Sequence, residues 1–84
     1  MVMQFTLPNN DTRLGSVITE GMDFRLGRLV ALVEYVDADG IYDVAAVDSD
    51  THDLVALGMQ ECIEEANHMD GMSHDAFVNF AVTH

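Results

Sequence analysis

The dipeptide Asp39-Gly40, set between the apolar runs 29–33 and 41–47, constrains this chain more than any other feature. Asp-Gly favours the type I′ turn whose twist matches that of two antiparallel strands. The flanking runs are rich in β-branched side chains, which suit strands. Leu26, Leu29, Val30 and Val33 also have helical spacing, but the β-branched content and the turn favour a long hairpin over residues 24–48. With Asp39 and Gly40 as the two turn residues, Ala38 faces Ile41, Tyr42 faces Asp37, Tyr35 faces Val44 and Val33 faces Ala46. One face then carries Ala31, Val33, Tyr35, Tyr42, Val44 and Ala46. The other mixes Leu32, Val36, Ala45 and Val47 with Glu34 and Asp43, the pattern of a half-exposed surface.

Residues 2–7 alternate Met3, Phe5 and Leu7 against Val2, Gln4 and Thr6, the period of a strand, and Pro8-Asn9-Asn10-Asp11 supplies a turn. Over 13–20, Leu14, Val17 and Ile18 have helical spacing, but Gly15 and the run Val17-Ile18-Thr19 suit a strand better. Residues 51–69 predict the main helix, with Asp50 as its cap, Asp53 in its first turn and Gly71 beyond its end. Helical spacing places Val55, Met59, Cys62, Ile63, Ala66 and Met69 on one apolar stripe. Glu61, Glu64, Glu65 and His68 fall opposite, with Leu57 between Glu61 and Glu64. Residues 76–82 fit either a short helix capped by Ser73 or an edge strand presenting Val78, Phe80 and Val82. The expected fold class is α+β: one small domain over 1–84, a three- to four-stranded antiparallel meander packed against helix 51–69, with the C-terminal segment closing the core.

The charge is lopsided. Fifteen acids stand against three arginines and no lysine, for a net charge of −12. Residues 1–33 balance, with Asp11, Glu20 and Asp23 against Arg13, Arg25 and Arg28. The other twelve acids run from Glu34 to Asp75 with no lysine or arginine among them. Their mutual repulsion costs stability at low salt, and solubility needs a net charge of only about 2–8 in magnitude. Two explanations compete. One is a basic partner. The other is a very salty cytoplasm, where hydrated carboxylates keep proteins soluble. Ten Asp to five Glu and the absence of lysine fit the second; the neutral first third does not.

The residue patterns for other chemistries fail one by one. An EF-hand loop needs oxygen ligands at its first, third and fifth positions, glycine at the sixth and glutamate at the twelfth. Frames starting at Asp37 or Asp48 both break that pattern. Structural zinc sites need ligands in closely spaced pairs, whereas Cys62, His52, His68, His74 and His84 form none. Cys62 on an apolar stripe among glutamates has its thiolate disfavoured, the reverse of nucleophile activation. No phosphate-cradling glycine loop or nucleophile elbow is present. The expectation is therefore a non-enzyme with no cofactor and no metal. Three arginines cannot supply a phosphate-binding footprint, so direct nucleic-acid binding is not expected. One cysteine rules out an intramolecular disulfide scaffold. No apolar run nears the roughly 20 residues of a membrane span, and the N-terminus lacks a secretory pattern. The expected location is cytoplasmic.

An acidic surface can instead occupy a site built for DNA or RNA, drawing on the same cationic residues and the same steering. Glu61, Glu64 and Glu65 on one helix face, with Asp50 and Asp53 at its start, form one candidate stripe. Glu34 and Asp43 on the hairpin, with Asp37 and Asp39 at its tip, extend it. Leu57 would be an apolar anchor inside the charged rim. The expectation is a nucleic-acid-mimicking inhibitor of a basic DNA- or RNA-binding protein or nuclease complex. Phage or mobile-element defence against restriction or CRISPR systems is the natural setting, in a host cytoplasm. The alternatives are a halophilic acidic domain or an accessory subunit docking on a basic protein. A homodimer is permitted.

Overall fold

In the computed structural model, which describes residues 1–83, the first 57 residues are almost wholly strand and turn. The strands are β1 (Val2–Thr6), β2 (Thr12–Asp23), β3 (Arg28–Val36), β4 (Tyr42–Asp48) and β5 (Leu54–Leu57). Two helices follow, α1 (Met59–Ala66) and α2 (Gly71–Thr83). Each strand pairs antiparallel with its chain neighbours in the order β1-β2-β3-β4-β5, a meander curled as a half-barrel with both helices packed on it. The α+β class and the meander are those expected; the sheet has five strands where three to four were anticipated. Among the described residues no helix is long and apolar enough to cross a membrane.

Strand side chains alternate between faces, so β3 and β4 feed two cores. Val30, Leu32, Val44 and Ala46 face the helices and join Ala56, Cys62, Ala66, Met69 and Phe77. Ala31, Val33, Tyr35, Ala45 and Val47 face the other way and join Met3 and Phe5, with Leu54 and Leu57 packed against them. β1 and β5 lie at opposite edges of the sheet yet serve this one cluster, so the sheet must curl toward that face. Phe5 and Tyr35 meet there edge to face, with ring centroids 5.3 Å apart. Of the face expected half exposed, Leu32, Ala45 and Val47 are buried, and Val36 is exposed.

The hairpin register differs from expectation by one residue. Val36 pairs with Tyr42, Tyr35 with Asp43 and Val33 with Ala45. The loop is longer than a two-residue turn: Asp37 N–H donates to Ile41 O at 2.9 Å, and Gly40 N–H donates to Asp37 O at 3.1 Å. Gly40 takes φ 78°, the left-handed residue that closes a three-residue loop. A one-residue slip exchanges the faces of a whole strand. Tyr42, Val44 and Ala46 consequently lie on the helix side, opposite to Tyr35 and Val33.

The helix expected over 51–69 is confined to Met59–Ala66. Leu54–Leu57 instead adds an edge strand to β4, with Ala56 opposite Ala46 and Leu57 opposite Ala45. Gly58, at φ 90°, turns the chain from strand to helix. Val55 reaches the helix-side core from a register shift in β5, which is why its helical spacing to Met59 and Cys62 was misleading. The buried side of α1 is Cys62, Glu65 and Ala66, rotated from the expected stripe, and Ile63 is exposed. Residues 13–20 are strand as expected, with a bulge at Ile18. Residues 76–82 are helical, but the cap is Asp70, whose Oδ2 accepts the Ser73 N–H at 3.2 Å. Gly71 starts this second helix rather than stopping the first.

Candidate functional site

Much of the acidity is structural. Three successive hairpins open on an aspartate whose Oδ1 accepts two backbone N–H groups of the loop that follows. Asp23 accepts from Arg25 and Leu26, both at 2.8 Å. Asp37 accepts from Asp39 and Ile41, both at 2.9 Å. Asp48 accepts from Asp50 at 2.8 Å and Thr51 at 2.9 Å. Asp48 Oδ2 also takes the Arg28 guanidinium at 2.9 Å. The Thr51 N–H and Arg28 together hold its carboxyl at about 2, below the usual range. Sequence reasoning missed Asp23 and Asp48, although each ends an apolar strand pattern just before a turn.

The three arginines are also engaged within the chain. Arg13 reaches Asp11 at 3.5 Å, Arg25 reaches Glu65 at 3.1 Å and Arg28 reaches Asp48 at 2.9 Å. Among the described residues, the other exposed carboxylates form no ion pair except Asp75, whose Oδ1 lies 3.1 Å from His74 Nδ1.

The expected acidic stripe is not continuous. Asp50 and Asp53 sit in the β4–β5 loop, while Asp37 and Asp39 sit in the β3–β4 loop. The seven residues of β4 part these loops by roughly 20 Å. Asp50 and Asp53 do not start a helix, since β5 intervenes. Glu61 and Glu64 are exposed on α1, but Glu65 is buried, 3% exposed. Leu57 is no anchor among carboxylates: it lies on β5, half buried against the inner core, and its N–H donates to Glu61 Oε1 at 3.3 Å. Glu61, Glu64, Glu65, His68 and Arg25 do share a groove between α1 and β5. Among the described residues no three His, Cys, Asp or Glu side chains converge where a metal ion could sit.

The structure places Glu34, Asp37, Asp39 and Asp43 near the β3–β4 tip, though on both faces of the hairpin: Glu34 on the face of Tyr42, Asp43 on that of Tyr35, and Asp37 and Asp39 in the loop. Between them stand exposed apolar side chains that the sequence reading did not single out: Tyr42 at 70% exposed, Ile41 at 62% and Val36 at 42%. The three-residue loop sets the face of Tyr42, the one on which Val44 and Ala46 are buried, and its place at the tip end of β4 leaves it exposed. It lines a cavity of about 210 Å³ with Glu34, Asp43, Val44, Met59 and Phe80. On the inner face Tyr35 donates its hydroxyl to Asp43 at 3.4 Å. Burial, then the Asp43 charge, pushes that phenol up to about 12. The tip therefore combines an aromatic centre with a carboxylate rim, the make-up of a protein-binding hot spot. No protein-family model, curated protein or solved structure matches the chain.

Proposed function

We propose that this chain is a non-enzymatic acidic binding protein that seats its β3–β4 tip on the cationic surface of a nucleic-acid-binding protein or nuclease complex, in place of the phosphate backbone. The observation that carries this reading is the exposure of Tyr42 and Ile41 near Glu34, Asp37, Asp39 and Asp43, with Arg25 and Arg28 paired at the far end of the sheet and Arg13, paired with Asp11, the one arginine whose charge reaches Tyr35 below the tip. The carboxylates steer the approach to a basic surface, and the tyrosine supplies the desolvated contact. Anti-restriction or anti-CRISPR activity in a host cytoplasm is the setting this chemistry suits.

The test is displacement of duplex DNA from purified restriction and CRISPR effector complexes at 0.1 M salt. The wild-type chain should displace it stoichiometrically, and less well as salt rises. Tyr42→Ala should weaken displacement by about 2 kcal/mol, and the pair Glu34→Lys and Asp39→Lys by about tenfold. Circular dichroism should stay native in both variants. Equal displacement by wild type and variants would remove the tip as the site. A chain folded only near molar salt would favour the halophilic reading instead.

A further inference from the structure

At the opposite end of the sheet from this tip, α1 meets the β2–β3 turn through two buried carboxyl groups. Asp23 is 0% exposed and Glu65 is 3% exposed. One oxygen of each is satisfied: Asp23 Oδ1 by the N–H groups of Arg25 and Leu26, and Glu65 Oε1 by the Arg25 guanidinium at 3.1 Å. The other two, Asp23 Oδ2 and Glu65 Oε2, are buried and receive no donor from any N–H or hydroxyl of the described residues. Arg25 joins the two carboxyls, its backbone N–H reaching Asp23 Oδ1 and its guanidinium Glu65 Oε1, and each carboxyl acts on the other's titration. Carboxylates only accept, so with both groups ionised neither orphaned oxygen can serve the other, whereas a protonated one donates. The charge balance points the same way. Two buried carboxylates beside one arginine leave a net negative charge in a dehydrated site, and one proton removes it.

We propose that Asp23 and Glu65 hold a single proton between them, and that this shared proton latches α1 to the β2–β3 turn and makes its attachment pH-responsive. The latch is independent of the docking surface at the β3–β4 tip. Glu65 carries the proton. Burial, then the hydrogen bond and charge of Asp23, raise it from 4.5 to about 7, with Arg25 opposing. Burial pushes Asp23 up too, but the bonds from Glu65, Leu26 and Arg25 outweigh it and hold Asp23 below its usual value. The other charged groups around the pair are Glu61 and Glu64 on α1 and His68 after it, which line the groove with Arg25. Val55 and Ala56 form the β5 side. Asp70, at the start of α2, bonds the neighbouring Met22 N–H at 3.1 Å. The same junction is held by Phe24 N–H to His68 O at 2.8 Å and by the bridge between Asp23 and Met69.

The sign follows from proton counting. Between pH 4.5 and 7 the latched state holds a proton that the opened state has lost, so rising pH favours opening. Carboxyl-carbon NMR of the labelled full chain should show Glu65 titrating at about 7, with Asp23 ionised throughout the neutral range. Protection factors of α1 amides should fall by up to about tenfold per pH unit between those limits. Glu65→Gln keeps a donor toward Asp23 and an acceptor for Arg25, so it should abolish that slope. His68→Asn should leave it intact, which separates the latch from histidine titration. Glu65 titrating in the ordinary glutamate range would overturn the proposal, whether or not the variants fold. So would an unchanged slope in Glu65→Gln.

Discussion

Cys62 and Glu65 stand three residues apart on α1, and burial drives both toward their neutral forms. For Cys62, burial comes first and the charges of Asp43, Glu61 and Glu65 add to it, pushing the thiol up to about 12. Thiol chemistry requires the thiolate, so Cys62 is a packing residue, touching Leu32 and Phe77's cluster on the helix side of the sheet. The native chain should therefore show no reaction with an aromatic disulfide reagent over hours at pH 8, and one thiol on unfolding. Rapid labelling of the native state would mean that α1 opens readily. The sequence announced this cysteine as a core residue through its helical spacing to Met59 and Ala66. Glu65 gave no such signal, because a glutamate beside Glu64 reads as a second solvated charge. Its burial depends on Asp23 and Arg25, some forty residues away.

Among the elements, α2 depends on one small residue. Gly21 on β2 lets the start of α2 approach so closely that a Cβ there would collide with Asp70 Oδ1 and Ser73 Oγ. That approach allows Asp70 N–H to donate to Met22 O at 3.1 Å and Ser73 Oγ–H to donate to Glu20 O at 3.2 Å. Gly21→Val should displace the start of α2 and cost about 1–3 kcal/mol, read as a lower Tm with weaker helical circular dichroism. An unchanged Tm would show that α2 is not seated there. β5 and the hairpin register show where local patterns mislead. Leu54–Leu57 has both strand and helix spacing, and the free edge of β4 decides between them by offering hydrogen bonds. Asp-Gly marks a turn correctly, yet Asp37, by accepting from Asp39 and Ile41, draws a third residue into the loop.

For the whole molecule, stability should peak in mildly acidic solution. The Glu65 carboxyl, raised to about 7, favours the folded state fully below 4.5, and that contribution is lost as pH rises to 7. The Asp48 carboxyl, lowered to about 2, contributes above its ordinary 3.8, and that contribution is lost as pH falls through 2. Thermal unfolding followed from pH 2 to 9 should thus give a maximum Tm near pH 4 to 5. At pH 7 the Tm should rise with salt as the uncompensated carboxylates are screened. A Tm that is flat in salt would mean the acids are too far apart to repel.

Alternation of apolar and polar residues, turn residues between the runs and the one-sided charge are local properties. From them the sequence alone determined a small α+β domain with an antiparallel meander, a helix carrying Cys62 and Ala66, and an acidic second half. Tertiary structure decided which acids remain available. Curling the sheet buried its second face, the β4 edge claimed residues 54–57, and the β2–β3 turn took Glu65 out of solvent. Those outcomes depend on contacts between residues far apart in the chain, where burial of a charge is set by the neighbour that the fold supplies. For the same reason the exposed Tyr42, whose face follows from a single residue of hairpin register, belongs to the structure and not to the pattern.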